Sequence, residues 1–213
     1  MNKNIPNILS AIRIILVPFF VFFYMAEFIP HGKLIALVLF IIASLTDLFD
    51  GKIARKYNIV SDLGKLLDPI ADKVLVLAAL LMVTFYGVIP APYGVIALLI
   101  IIARDYVVDA LRQISASKGV VIAADIFGKM KTMLTMIALV VLILFAYFDA
   151  SFSFGELFMQ ILKNAGLALF LVSVGLTLLS GINYVVKHKQ LFSSKVKKED
   201  TETQNSEVEK EGK

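Results

Sequence analysis

Four aspartates, Asp47, Asp50, Asp68 and Asp72, crowd the stretch TDLFDGKIARKYNIVSDLGKLLDPIAD at residues 46–72, which joins one apolar run to the next. Carboxylates where a chain enters or leaves an apolar layer are costly to desolvate and are rarely kept there without a task. Asp47 and Asp50 are three residues apart, and Gly64, Asp68 and Asp72 are spaced by four. Each set therefore lines one face if its segment is helical. Ala54 continues the first face, and Gly51 lets a ligand approach the backbone closely. Two helix ends would then point four carboxylates into one cavity, and such a cluster repels itself unless it is protonated or holds cations. With no His or Cys nearby, an all-oxygen set suits Mg²⁺ or Mn²⁺ better than Zn²⁺. Four carboxylates suffice for two divalent ions about 3.5–4 Å apart, which clamp the attacking and leaving oxygens of phosphoryl transfer. Arg55, Lys56 and Lys65 alongside suit a phosphate-bearing substrate.

Each residue also has a plainer use. Asp68 before Pro69 reads as an N-cap and first helical turn. Arg55 and Lys56 serve equally as interfacial anchors. One aspartate would not decide between these readings; four, together with the glycines, favour a site.

The elements that must position them are set by composition. Hydrophobic residues make up 59% of the 213-residue chain and charged residues 18%. Ordinary soluble domains have about 45–50% and about 25%. Apolar runs without strict alternation favour spanning helices over barrel strands. The expected fold is all-α and integral to the membrane, with an interfacial N-terminal segment and six transmembrane helices near 8–25, 34–48, 73–88, 94–110, 131–147 and 166–186. The second helix should continue towards Arg55, and Asn7 or Ser10 can cap the first. Turns are expected at 30–32, 90–92 and 151–155. The first apolar run has no small-residue cleavage site and reads as a span, not a removable signal. The phenylalanine-rich VPFFVFFYMAEF within and after it should face lipid or pack. Residues 1–190 form one membrane domain, and the charged tail 191–213 should be disordered.

Nearly all Lys and Arg fall on the side that holds both termini and the connections around 52–73 and 104–131; only Lys33 and Lys163 fall on the other. The basic side is cytoplasmic by the positive-inside rule, which places both termini and the acidic stretch there. This membrane role accounts for the basic excess, and no nucleic-acid partner is expected. His31 and His188 are isolated and read as surface residues. The absence of cysteine excludes disulfides and thiolate metal sites.

The acids and their neighbours spell D-x2-D-G-x2-A-R-x8-G-x3-D-x3-D, with Asp47, Asp50, Gly51, Ala54, Arg55, Gly64, Asp68 and Asp72 at the fixed positions. This resembles the signature of the CDP-alcohol phosphatidyltransferases at every fixed position. The six-span layout is similar too, so the resemblance runs from about Asn2 to Lys189. It implies that CDP-diacylglycerol binds with its pyrophosphate on the metals, that the acceptor hydroxyl attacks the lipid-bearing phosphorus, and that CMP leaves. Asp47, Asp50 and Asp68 would be metal ligands; Asp72 would be the general base and a possible fourth ligand. Gly51, Ala54, Arg55, Ser61 and Gly64 would line the CDP-diacylglycerol site. Asn7, Ser10 and Arg13 match a P-N-x-x-[ST]-x-x-R start that would line the same pocket. The resemblance further implies a homodimer.

The acceptor should be set by ARDYVVDALRQISASKGVVIAADIFGKMKT, residues 103–132. Arg104 and Arg112 are two helical turns apart, and Lys129 and Lys131 follow on the same side of the membrane. This is a cradle for a second phosphate, which a serine acceptor would not need. Lys118 reads better as an anchor, and Asp105 and Asp109 as partners that hold the arginines. The segment resembles R-[ED]-x6-LR…GK-x-KT of bacterial phosphatidylglycerophosphate synthases, with Asp105 where many have Glu. The expected activity is therefore transfer of phosphatidyl from CDP-diacylglycerol to sn-glycerol 3-phosphate, in a groove between the second, third and fifth helices. The rivals are other acceptors (inositol phosphate, phosphatidylglycerol, serine), a divalent-cation transporter, or a structural subunit. Transporters place acids at midplane on several helices, whereas in this chain they gather on one connection beside Arg55.

Overall fold

The computed structural model describes residues 5–57, 62–117 and 126–187; the side chains of 5–9, 47–57, 62–69, 72, 116–117, 126–127 and 129 lie outside that description. The described residues form six helices: α1 (Ile5–Met25), α2 (Gly32–Tyr57), α3 (Asp62–Phe85), α4 (Ala91–Ser117), α5 (Ile126–Ser151) and α6 (Glu156–Lys187). Each apolar run lies almost wholly within one helix. The short turns at 26–31, 86–90 and 152–155 match the Pro- and Gly-marked breaks. Gly87 takes the left-handed φ of 72° that glycine tolerates, while His31 adopts 60°. His31 is exposed, and its Nδ1 lies 3.1 Å from the Tyr147 hydroxyl on α5.

Helix α2 runs unbroken to Tyr57, so Asp47, Asp50, Gly51, Ala54 and Arg55 sit on one helix. Helix α3 begins at Asp62, well ahead of the expected start at 73, and takes in Gly64, Asp68 and Asp72. The three- and four-residue spacings therefore act on genuine helical backbone. Asp68 falls inside α3 and does not cap it. The capping role expected of Asn7 or Ser10 also fails: α1 starts at Ile5, and Ser10 is buried inside it.

The core draws on every helix, with Phe20, Phe40, Leu75, Ala79, Ala97, Leu142 and Phe170 among its members. Small residues allow the closest approaches. A Cβ on Gly166 of α6 would come within 2.8 Å of Leu142 Cδ2 on α5. The phenylalanine-rich segment divides by helical phase: Phe20 and Tyr24 are buried, whereas Phe19 and Phe22 are exposed.

Polarity runs inside out along α6. Its buried seam is Gly166, Phe170, Ser173, Thr177, Ser180 and Tyr184, while Leu171, Leu179 and Ile182 face outward at 61%, 64% and 62% exposure. Ser173 and Thr177 donate to the carbonyls of Phe170 and Ser173 at 2.7 and 2.8 Å, which satisfies them within the helix. Among the described residues, Met130–Ser151 and Glu156–Lys187 are long and apolar enough to cross a membrane.

Candidate active site

The acidic stretch occupies the end of α2 and the beginning of α3. Helices alternate in direction, so this is the end of the bundle where α4 and α6 finish and α1 and α5 begin. At this end a cavity of about 630 Å³ opens between α3, α4 and α5, with Thr177 of α6 at its wall. Helices α3 and α5 of the expected groove both line it, together with α4; the side chains of α2 from 47 to 57 lie outside the described ones.

The cavity wall carries charge. Among the described residues, Lys73, Arg112 and Lys131 line it together with Asp105 and Asp109. Asp105 and Asp109 are one helical turn apart on α4, and each holds a lysine from a different helix. Lys131 of α5 donates from Nζ to Asp105 Oδ1 at 2.5 Å and is buried. Lys73 of α3 pairs with Asp109, and its Nζ lies 5.5 Å from the Tyr106 ring centroid. Burial strengthens such charge-assisted bonds and raises the cost of losing one partner. The expectation that Asp109 steadies an arginine is corrected: it holds Lys73 instead, because the packing of α3 against α4 brings that lysine beside it.

The two arginines of α4 share a face, and both reach α6. Arg104 Nη1 donates to Asp105 at 3.0 Å and Nη2 to Ser180 Oγ at 2.7 Å. Its side chain lies against Gly181, where a Cβ would approach Arg104 Cγ to 2.9 Å. Arg104 is not among the residues that line the cavity. Arg112 does line it, with Nε 3.4 Å from the Tyr184 hydroxyl and the guanidinium carbon 5.8 Å from that ring centroid. Lys129 lies on α5, with its side chain outside the described ones.

The remaining expected site residues are placed by backbone alone. Asp47, Asp50, Gly51, Ala54 and Arg55 are on α2, Gly64, Asp68 and Asp72 on α3, and Asn7 on α1; Ser61 lies outside the described residues. Ser10 and Arg13, one turn apart on α1, are fully buried. Among the described side chains no three His, Cys, Asp or Glu gather into a metal cluster. The donor set in the sequence nevertheless fits hard cations: four carboxylates on two helix segments, with no nitrogen or sulfur ligand near them in the chain.

Lys73 escapes notice in the sequence because it reads as the first residue of an apolar span. Its place directly after Asp72 is the available signal.

The sequence profile of the CDP-alcohol phosphatidyltransferase family matches residues 3–179. The chain belongs to this family. The match takes in both the acidic stretch and the charged cavity wall. Relatives within the CDP-alcohol phosphatidyltransferases are close over most of their length. A CDP-diacylglycerol–glycerol-3-phosphate 3-phosphatidyltransferase from Bacillus subtilis (strain 168) is 38% identical over 198 residues, covering 87% of this chain and 95% of its own. Proteins of the same name from Rickettsia felis and Salmonella typhimurium are each 35% identical over 192 residues, covering 90% and 87% of this chain and 99% and 94% of theirs.

Proposed function

We propose that this chain transfers the phosphatidyl group from CDP-diacylglycerol to sn-glycerol 3-phosphate, giving phosphatidylglycerophosphate and CMP. The observation that carries this reading is the cavity lined by Lys73, Arg112 and Lys131, with Asp105 and Asp109 among them, at the same end of the bundle as the acidic motif. One end thus offers a carboxylate set for a pyrophosphate-bound metal and a separate cationic wall for a second phosphate. The names of the relatives support the same acceptor.

Asp47, Asp50, Asp68 and Asp72 would hold two Mg²⁺ or Mn²⁺ ions, which when bound neutralise charge on the pyrophosphate. Arg55 pairs with the nucleotide phosphates, and Gly51, Ala54, Ser61 and Gly64 leave room for the cytidine diphosphate. Asn7 and Ser10 border that pocket from α1. Arg112, Lys129 and Lys131 hold the acceptor phosphate. Arg104 contributes through Asp105, which it shares with Lys131. Asp72 takes the proton from the acceptor hydroxyl as its oxygen bonds to the lipid-bearing phosphorus. The anhydride bond on the other side of that phosphorus breaks, and CMP leaves with the electron pair.

All six helices span the bilayer in this reading. The outward-facing leucines and isoleucines and inward-facing hydroxyls of α6 support it, because lipid solvates apolar surface and leaves polar groups to pair internally. Both termini, the tail and the active site face the cytoplasm. The enzyme acts as a homodimer, with diacylglycerol tails remaining in lipid.

The test is CMP release by purified protein in micelles containing CDP-diacylglycerol and Mg²⁺. The acceptors offered are glycerol 3-phosphate, inositol phosphate, phosphatidylglycerol and serine. Release with glycerol 3-phosphate alone supports the reading. Release with a different acceptor keeps the acidic site and overturns the assignment of the cationic wall.

A further inference from the structure

Helices α3 and α4 are joined covalently only at the turn 86–90. Lys73 lies about three helical turns away from that turn, towards the open end of the hairpin. There α4 grips it from two positions: Asp109 pairs with its ammonium, and the Tyr106 ring lies 5.5 Å below it. The Lys73 and Asp109 side chains are 27% and 34% exposed, so the pair sits at the cavity wall and is not freely solvated. One turn along α4, Asp105 grips Lys131 of α5 in the same manner. Helix α4 thus ties its neighbours on both sides through two carboxylates.

We propose that Lys73 is a positioning residue, and that its pairing with Asp109 fixes the turn of α3 carrying Asp72 against the wall carrying Arg112. The inference rests on the phosphatidyl-transfer reading and deepens it. Asp72 and Lys73 are consecutive on one helix, so a rotation or slide of α3 at Lys73 moves Asp72 equally. Proton transfer tolerates little such movement: a displacement of about 1 Å can cost a factor of about 100 in rate. In this arrangement Lys73 acts by holding the turn of α3 that carries Asp72, and not by binding the acceptor. Its loss should therefore appear in kcat and not in the acceptor KM.

The experiment measures CMP release per molecule of monodisperse full-length protein for Lys73→Met, Asp109→Asn, the double variant and Lys73→Arg, with CDP-diacylglycerol and varied glycerol 3-phosphate. Each of the first two should lose about tenfold or more in kcat with acceptor KM within about threefold. The double variant should fall no further than the worse single, since both remove one interaction. Lys73→Arg should retain most of the rate. If Lys73→Met does not fold, Asp109→Asn and Lys73→Arg carry the same test. A raised KM with unchanged kcat, additive losses in the double variant, or unaltered kinetics in Asp109→Asn would each overturn the proposal alone. Absence of CMP release from the unsubstituted protein would overturn the phosphatidyl-transfer reading and this proposal with it.

Discussion

Lys131 on α5 and Asp105 on α4 meet Nζ to Oδ1 at 2.5 Å, with the lysine side chain only 8% exposed. The same carboxylate accepts from Arg104, whose other nitrogen is held by Ser180 of α6. Three helices therefore converge on one aspartate, and a lysine that would otherwise sweep a wide arc is held at the cavity wall. Holding the donor in place before the phosphate arrives lowers the ordering cost of binding.

Replacing that lysine should be felt in binding. A hydrogen bond to a charged group is worth about 1.5–3 kcal/mol, or roughly a tenfold to hundredfold change in affinity. Lys131→Met should raise the KM for glycerol 3-phosphate by that factor and leave the KM for CDP-diacylglycerol within about threefold. Initial-rate kinetics with each substrate varied in turn checks it.

Arg104 should behave differently, because its fork bridges Asp105 and Ser180 while it stays off the cavity wall. Arg104→Lys retains the charge but cannot span both partners. The expected result is a loss of stability of about 1–3 kcal/mol, since a buried partner is left unsatisfied. Thermal unfolding in detergent reads this directly, and Ser180→Ala should reproduce part of the loss.

The acidic motif should demand a divalent cation. Chelation with EDTA should abolish CMP release, and Mg²⁺ or Mn²⁺ should restore it where Ca²⁺ does not, since the smaller ions favour tight octahedral oxygen coordination. Asp68→Asn should shift the metal concentration needed for half-maximal rate upward by at least about tenfold, the usual scale for losing a charged contact. Metal titration of both proteins gives the comparison.

Packing makes a prediction independent of the chemistry. Gly166→Val would drive side-chain atoms into Leu142, already within 2.8 Å of where a Cβ would sit. Overpacking of this kind costs about 1–3 kcal/mol. A lowered unfolding temperature should result, with the acceptor KM unchanged in the protein that remains folded.

The chain contains no cysteine, which makes topology directly testable. Ser153→Cys, in the turn between α5 and α6, should react with a membrane-impermeant maleimide in intact cells. Ser194→Cys, in the tail, should react only after permeabilisation. The opposite pattern would invert the proposed orientation and move the acidic motif to the outer face.

Much of this architecture could be read from the chain, because long apolar runs mark the helices and Pro and Gly mark their turns. Helix α2 reaching Tyr57 agrees with the expected continuation towards Arg55. The early start of α3 was legible only in part: the four-residue spacing of Gly64, Asp68 and Asp72 suits a helix, but Asp62–Asp72 is polar and Pro69 looks like a beginning. Ser10 resembled a cap for a similar reason: serine favours helix starts, yet in this bundle tertiary burial overrides that preference. Arg104, Arg112 and Lys131 were visible as a cationic group, and their helical phase placed both arginines on one face. What spacing could not reveal was the partner of each charge. Asp109 choosing Lys73, and Arg104 turning to Ser180, depend on how α3 and α6 lie against α4, and that is a property of the packed bundle.

The most direct test of phosphatidyl transfer is the stoichiometry of the two products. Purified protein, CDP-diacylglycerol, Mg²⁺ and isotopically labelled sn-glycerol 3-phosphate would be incubated in micelles, and labelled lipid and CMP quantified together. Phosphatidyl transfer requires one labelled phosphatidylglycerophosphate for each CMP, and the role of Asp72 as base requires neither product from Asp72→Asn. CMP released without labelled lipid would contradict the transfer, and labelled lipid formed undiminished by Asp72→Asn would contradict the base assignment.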